Sequence, residues 1–555
     1  MTTQAISKKL HDLPPADRRL LKIFAGVALA SLLIGLLFGL TTALIRTGYA
    51  DAEPATGYRM MTAHGVTVFF YWLYFAQMAF LLALAASQFE GKPRIAWAPA
   101  AWAGLLAMIL GFFASQAGTI LGTPLLYDGS PELVGENMWS AGIFYVGYVL
   151  LAAGLLLLAT SAIATALAAK SSGSKPVWST IGFAVTAWAG LVMVSSIATL
   201  NTFVPAAAWA FGLAAIPANH ETGWHLLFHN LHYLPLMGTV ILWYAVIQDI
   251  TGVGSIFGQR FSKLIFTLYL VFVPPTSLYH MFLEPDLSPF LRGLGSLLSL
   301  FISVPTIAVF LVIVTSLEAH ARVRGARGLF GWLRGLPWHE PTVAAIGWAV
   351  VNLALGGIFA FVLIQERLAP LLSDTFFVPA YFHFLTIGTV TLTLLAAFAW
   401  AMPSVFGRKL LAPRLLAILP AALTFGLVLF GGAGMAAGLS GMPRRVLDPA
   451  YDGAAPHVWT AMSPYIAGGA VIMAVSLAAY VLVLTASAMG APTPKFAIPP
   501  ATARPTGDPM VFNQPAWTAS LAVVVLVAGM YAATLTAFAI LRALPLVAGA
   551  ATGAH

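Results

Sequence analysis

Long, uninterrupted apolar runs restrict the fold of this chain more than any other feature of its sequence. A helix needs about 20 consecutive apolar residues to cross roughly 30 Å of hydrocarbon. Because the runs are continuous and do not alternate in polarity over ten-residue segments, they predict transmembrane helices rather than barrel strands. We therefore predict an all-α integral membrane protein, a bundle of about thirteen transmembrane helices. The spans are expected at residues 22–45, 59–86, 96–120, 137–168, 177–200, 222–250, 260–283, 293–319, 342–364, 376–402, 413–440, 457–488 and 515–545.

The composition agrees with a membrane protein and narrows the available chemistry. The chain is 60% hydrophobic and 8% charged, whereas an average soluble domain has about 25% charged residues. Cysteine is absent, which excludes disulfides, iron–sulfur clusters and thiolate-bound metals within the chain. We expect residues 1–555 to form a single polytopic domain, with a cytoplasmic tail at about 1–21 and a cytoplasmic linker at about 489–514.

The charges of the connecting segments alternate along the chain and predict its orientation. The N-terminal tail and every second loop are basic, and the positive-inside rule places them in the cytoplasm. The alternate loops carry most of the acidic residues, including Asp51, Asp128, Asp374 and Asp448. The N-terminus is therefore expected in the cytoplasm and the C-terminus outside. The net charge of +8 follows from these short loops, so it does not indicate nucleic-acid binding.

Six of the twelve histidines fall at similar depth, in the outer part of four predicted spans. They are His64, His225, His229, His232, His280 and His383. Polar groups at this depth are costly and usually functional, and imidazole is a common ligand for haem iron, copper and zinc. His225, His229, His232 and Tyr233 share one face of the sixth span, where a pair could bind one metal. The alternative for that face is a polar seam between helices.

Five motifs, in order along the chain, carry a resemblance to a known family. They are HNLHY at 229–233, YHMFLEPD at 279–286, SLEAHARVRGARGLFGWLRGLPW at 316–338, VPAYFHFLTIGTVTLT at 378–393 and MPRR at 442–445. Together they resemble subunit I of the haem-copper oxidase superfamily, and most closely the B-type branch of ba-type cytochrome c oxidases. Subunit I of that branch also has thirteen spans.

The resemblance implies a low-spin, b-type haem held by two histidines. His64, in AHG at 63–65, and His383, the last residue of AYFH at 380–383, match the family's axial ligands. Arg444 and Arg445 match the outer arginine pair that binds haem propionates. His64 and His383 are thus the expected haem ligands, with the propionates directed towards the outer face.

The oxygen-reducing centre of the family is matched only in part. His229, His280 and the nearby Tyr233 are kept, but Tyr279 stands where a third copper ligand is expected. Tyr381 replaces the histidine that holds the high-spin haem. His232 could restore the ligand count of a copper or non-haem iron site, and Tyr381 could hold a second haem as a tyrosinate. The catalytic candidates are therefore Tyr233, Tyr279 and Tyr381, and the metal candidates are His229, His280 and His232.

The proton-uptake route of this branch is also kept in part. Tyr233, Tyr244 and Thr306 match it, but hydroxyl residues are replaced elsewhere along the route. The replaced positions are Val240, Val309 and Val312. Because valine neither donates nor accepts a hydrogen bond, it cannot belong to a proton wire.

Three functions are compatible with these features. The first is an oxidoreductase that passes electrons through the His64/His383 haem to a modified binuclear centre reducing oxygen or nitric oxide. The second is an electron-transfer haem subunit with a degenerate, non-catalytic centre. The third is a transporter without a redox role, which broken helices or inverted repeats would favour; we find neither in the sequence.

The expected surroundings follow from the same features. The chain is expected in the lipid of a bacterial or archaeal cytoplasmic (inner) membrane. Since it lacks cysteine, a dinuclear copper entry site would belong to a subunit II-like partner. A cytochrome or cupredoxin electron donor is expected to dock on the acidic outer loops.

Overall fold

A computed structural model describes residues 6–122, 125–173, 178–251, 257–274, 288–364, 368–448 and 451–493, and scattered positions between 521 and 536. Helices dominate these ranges, in which two isolated β-bridges join Thr375 to Pro443 and Arg408 to Pro492. The α-helices α1 to α17 are Ile6–His11, Pro15–Arg46, Pro54–Gly65, Leu73–Ala86, Ala98–Leu121, Met138–Ser171, Thr180–Ala210, His220–Thr251, Gly258–Phe272, Pro289–Val323, Gly331–Arg334, Pro341–Leu363, Ala369–Leu372, Phe377–His383, Leu392–Ala401, Pro413–Leu439 and His457–Met489. Three π-helical segments, π1 to π3, are Val66–Trp72, Phe384–Thr391 and Met402–Phe406.

Eleven helices of the described ranges are long and apolar enough to cross a membrane. They correspond to the first six predicted spans and to the eighth to twelfth. The seventh, expected at 260–283, is represented by α9, and the thirteenth lies mostly outside the described residues. The all-α membrane architecture is confirmed, and the count of thirteen spans stays a prediction.

The first span begins earlier than its apolar run. Helix α2 starts at Pro15 and not at residue 22, because proline suits the first helical position, where no backbone N–H is needed. Asp17 in its first turn accepts a hydrogen bond of 2.9 Å from the Ile95 backbone N–H. Part of the expected N-terminal tail is therefore helix and is joined to the loop before the third span.

The second and tenth spans form the centre of the bundle and are the most buried of the eleven. Each changes from α- to π-helix and back, through α3–π1–α4 and α14–π2–α15. The Trp72 Nε1–H of the second span donates to Thr391 Oγ1 of the tenth at 3.0 Å. The Tyr74 hydroxyl donates to the Leu231 carbonyl of α8 at 2.9 Å. The sixth span is thereby bonded to the central pair.

Candidate haem site and tyrosine layer

His64 and His383 occupy equivalent places in the two central spans. His64 is the last residue but one of α3 and His383 is the last residue of α14, and a π-helical segment follows each helix. Trp72 follows His64 by eight residues, and its bonding partner Thr391 follows His383 by eight. Because the two spans pair at equal offsets from the histidines, the imidazoles lie at one depth. The two imidazoles also lie near one another.

The His64 ring is oriented by the first span. Its Nδ1 lies 2.9 Å from the Gly35 carbonyl oxygen, and a carbonyl can only accept, so Nδ1 carries the proton. Nε2 then keeps its lone pair for a metal. Gly39 lies one turn further along α2, and a Cβ added there would stand 2.5 Å from His64 Cε1. The two glycines allow the close approach that this contact requires.

The His383 ring is oriented by its own helix. Its Nδ1 lies 2.5 Å from the Pro379 carbonyl oxygen, so this imidazole also carries its proton on Nδ1. The Phe430 ring packs against it, with centroids 4.9 Å apart. Both predicted haem ligands thus have the tautomer that leaves Nε2 free to bind iron.

Arg444 and Arg445 lie in the loop after α16, and each forms an ion pair. Arg444 Nη2 is 2.8 Å from Asp374 Oδ1, and Arg445 Nη2 is 3.1 Å from Asp128 Oδ2. Burial lowers the pKa of Arg445, but Tyr127, Asp128 and Asp374 raise it, and the net change is upward. This guanidinium is therefore charged at neutral pH.

The arginine pair also keeps unused hydrogen-bond donors. The Nε atoms of Arg444 and Arg445 are buried, and neither has an acceptor among the described residues. A buried donor without a partner costs roughly 1–3 kcal/mol, so both positions favour a further anionic acceptor. Two imidazoles with free Nε2 atoms and two such guanidiniums fit a haem whose propionates face the loop after α16.

A second group of side chains lies next to this site, and we call it the tyrosine layer. It consists of Tyr233, Tyr269, Tyr381 and Tyr531. Tyr233 lies near the other three, and Tyr381 lies near Arg444. The Tyr269 hydroxyl is 2.9 Å from Thr306 Oγ1, and the Tyr531 hydroxyl bonds to Ser303 Oγ. Two of the predicted catalytic tyrosines, Tyr233 and Tyr381, are thus brought together.

The predicted metal ligands cannot be placed in the same way. His229 and His232 lie on α8, and at these two positions the structure describes the helical backbone alone. Tyr279 and His280 lie outside the described residues. Among the side chains that are described, no group of three histidine or acidic residues could hold a metal ion. The copper or non-haem iron site stays a prediction.

Sequence reasoning missed several residues around these sites. Gly35 and Gly39 form a small-xxx-small pattern in the first span, which predicts a close helix contact. On α9, Tyr269 bonds Thr306, and Ser262 accepts from the Tyr244 hydroxyl at 3.1 Å. Tyr269 and Ser262 could have been found because they lie seven residues apart, on one face of the predicted seventh span. These hydroxyls bond Tyr244 and Thr306, two of the three kept residues of the proton route.

Comparison with known proteins gives consistent matches over most of the chain. Residues 19–475 match the family model described as cytochrome c and quinol oxidase polypeptide I. Cytochrome c oxidase subunit 1 of Thermus thermophilus is 27% identical over 473 residues, covering 81% of each chain. Cytochrome c oxidase subunit 1 of Corynebacterium diphtheriae is 26% identical over 380 residues, which is 62% of this chain and 59% of that protein.

A solved structure has the same fold. It is the cryo-EM structure of a haem-copper terminal oxidase dimer, with a TM-score of 0.80 and 21% sequence identity. The match covers 94% of this chain and 93% of the other. The expected subunit I-like architecture of transmembrane helices is therefore confirmed.

Proposed function

Because this chain belongs to the cytochrome c and quinol oxidase polypeptide I family, we propose that it carries a low-spin haem between His64 and His383. It is a haem-copper oxidase subunit I-like membrane oxidoreductase. Electrons would pass through this haem to a modified binuclear centre that reduces oxygen or nitric oxide. A bis-histidine haem supplies one-electron transfer, for which the protein sets the ligands and the electrostatic surroundings.

One observation carries the proposal. Each of the two imidazoles donates its Nδ1 proton to a backbone carbonyl. The acceptor is the Gly35 carbonyl for His64 and the Pro379 carbonyl for His383. Both rings thereby keep the Nε2 lone pair that haem iron requires. Two histidines that served only to join helices would have no reason to share this tautomer at one depth.

The loop after α16 supports the proposed orientation of the haem. Arg444 and Arg445 both have a buried Nε–H without an acceptor in the described part of the chain. Propionates facing the outer side would meet these donors, and charge-assisted bonds to a carboxylate are about twice as strong as neutral ones. We propose that both arginines bind propionates in addition to Asp374 and Asp128.

The modified binuclear centre would be built from the tyrosine layer and the sixth and seventh spans. We propose His229, His280 and His232 as ligands of copper or non-haem iron, with Tyr279 nearby. Tyr381 would face a second haem in the place of the usual histidine. Tyr233, which lies near Tyr381, is the candidate proton donor.

The second candidate function is an electron-transfer haem subunit whose binuclear centre no longer acts. The bond between Tyr269 and Thr306 favours it, because hydroxyls that bond one another need no metal. In either case the family resemblance implies a subunit II-like partner and an outer cytochrome or cupredoxin donor. It also implies a bacterial or archaeal inner membrane with a cytoplasmic N-terminus.

Haem and metal counts on the purified protein test these proposals. Pyridine haemochrome spectroscopy should give two haems per chain, and elemental analysis should give one copper or non-haem iron. The metal should disappear in a His229→Ala/His280→Ala double variant that keeps the low-spin haem. One haem without a further metal would establish the electron-transfer subunit instead. A chain without haem would overturn both.

A further inference from the structure

Arg46 is the last residue of the first span and is almost completely buried, with 4% of its surface exposed. A buried charge is costly unless other groups compensate it. Among the described residues, no carboxylate lies within ion-pair distance of Arg46. Its charge must therefore be compensated by other groups.

Backbone carbonyls of the loop after α16 provide this compensation. Arg46 Nη1 donates to the carbonyl of Arg444 at 2.9 Å and to that of Val446 at 2.6 Å. Nη2 donates to the Pro443 carbonyl. The guanidinium carbon also lies 4.3 Å from the centre of the Phe376 ring, within the range of a cation–π interaction. The Arg46 side chain thus binds the carbonyls of the residues before and after the arginine pair and that of Arg444 itself.

The same loop is bonded to the start of the tenth span. The Arg444 N–H donates to the Asp374 carbonyl at 2.9 Å, and the Phe376 N–H donates to the Met442 carbonyl at 2.7 Å. Arg46 therefore joins the first span to a paired stretch that leads into the helix of His383. A displacement of this guanidinium would move the backbone of Arg444 and Arg445.

The local charge balance is positive. Arg46, Arg444 and Arg445 face two carboxylates, those of Asp374 and Asp128, in the described part of the chain. The Nε–H of Arg46 is buried and has no acceptor there. A cluster with more guanidiniums than carboxylates attracts an added anion, and the excess charge favours the reduced, more negative state of a nearby haem.

We propose that Arg46 is a positioning residue for the haem propionates. By binding three carbonyls it holds Arg444 and Arg445 in place, and its charge raises the reduction potential of the haem. This inference rests on the proposed His64/His383 haem. The planar fork of arginine is essential to it, because a lysine would carry the charge without binding three carbonyls in fixed directions.

Redox titration of the low-spin haem, in membranes and in the purified protein, tests this role in Arg46→Gln and Arg46→Lys variants. At a fixed ambient potential, R46Q should lower the ratio of reduced to oxidised haem about tenfold, which is 59 mV for one electron. R46K should lower it by at least about threefold, since the fork is lost although the charge remains. In both variants the potential should become more dependent on pH near neutrality, because less firmly held propionates protonate more easily.

Arg408→Gln is the matched control. Arg408 also donates to a backbone carbonyl, that of Gly490 at 2.9 Å, but it lies at the opposite end of the tenth span. Its variant should titrate like the wild type. If the haem of R46Q titrates like that of the wild type, the inference is wrong. If only R46K titrates like the wild type, the charge of Arg46 affects the potential but its positioning role is disproved. A wild type without a low-spin haem would instead disprove the proposed function.

Discussion

The haem site and the tyrosine layer lie next to each other but satisfy their polar groups in opposite ways. At the haem site, Gly35 and Pro379 take up one nitrogen of each imidazole and leave the other nitrogen unused. In the tyrosine layer, the hydroxyls of Tyr269 and Tyr531 bond Thr306 and Ser303. A site that retains ligand atoms depends on an added group, whereas a site whose hydroxyls are paired is stable without one.

The difference explains how one region could keep its cofactor while the other diverged. A buried hydroxyl without a partner costs roughly 1–3 kcal/mol. If a tyrosine replaces a metal-binding histidine, as we propose for Tyr381, its hydroxyl therefore needs a new partner. Several hydroxyls placed together can meet that need for one another. The predictions below test this contrast, beginning with the largest expected effect.

Replacing either haem ligand should have the largest effect. His64→Ala and His383→Ala are each expected to abolish the narrow reduced α-band of a low-spin b-type haem, because alanine cannot bind iron. Absorption difference spectra of membranes measure this band. His457→Ala, an exposed histidine at the start of α17, should keep it. Retention of the band in both ligand variants would show that the assignment is wrong.

Gly39→Ala should perturb the same haem although neither ligand is replaced. The new methyl group would stand 2.5 Å from His64 Cε1, so the imidazole must move and its bond to the iron should weaken. We expect low-spin haem per chain to fall several-fold, with a high-spin signal in electron paramagnetic resonance. Gly26→Ala is the control on the same helix, since a Cβ there meets nothing within 4 Å. Equal haem content in the two variants would contradict the proposed contact.

Asp128 and Arg445 should shift the haem potential in opposite directions. Arg445→Gln removes a positive charge and should lower the reduced-to-oxidised ratio at fixed potential, while Asp128→Asn removes a negative charge and should raise it. Each change is expected to be about threefold, because the two groups are paired and partly screened. Potentiometric titration measures both. Shifts of the same sign would indicate a structural disturbance and not a charge effect.

The tyrosine layer should give the smallest effect, and one confined to stability. Tyr269→Phe leaves Thr306 Oγ1 without its 2.9 Å partner and should destabilise the fold by about 1 kcal/mol. Thermal unfolding compared with Tyr465→Phe, an exposed tyrosine, measures this cost. The low-spin α-band should not change. A changed band would mean that the two regions do not act separately.

Local patterns predicted much of this molecule. Continuous apolar runs were sufficient for eleven of the spans, because the length needed to cross a bilayer is fixed by its thickness. His64 and His383 were identified from short motifs, and equal spacing along two parallel helices placed them at one depth. The start of α2 was missed because Pro15 and Asp17 are polar or helix-initiating residues outside the apolar run.

Contacts between distant parts of the chain were not predictable in this way. Arg46 binds the carbonyl of Arg444, 398 residues later, and nothing in the spacing of the sequence indicates this pair. The Gly35 acceptor of His64 required knowledge of which face of the first span meets the second. The side chains of His229 and His232 lie outside what the structure describes, so their metal site stays a prediction from residue types alone.

The acceptors of the two imidazole protons suggest an order of assembly in the membrane. Gly35 precedes His64 in the chain, and Pro379 lies one turn before His383 in the same helix. Each imidazole can therefore be oriented as soon as its own span is inserted during synthesis. The arginine loop is translated later, and its carbonyls bind Arg46 at the end of the first span. We expect the haem pocket to close from this late loop, so that haem delivery can precede the final docking step.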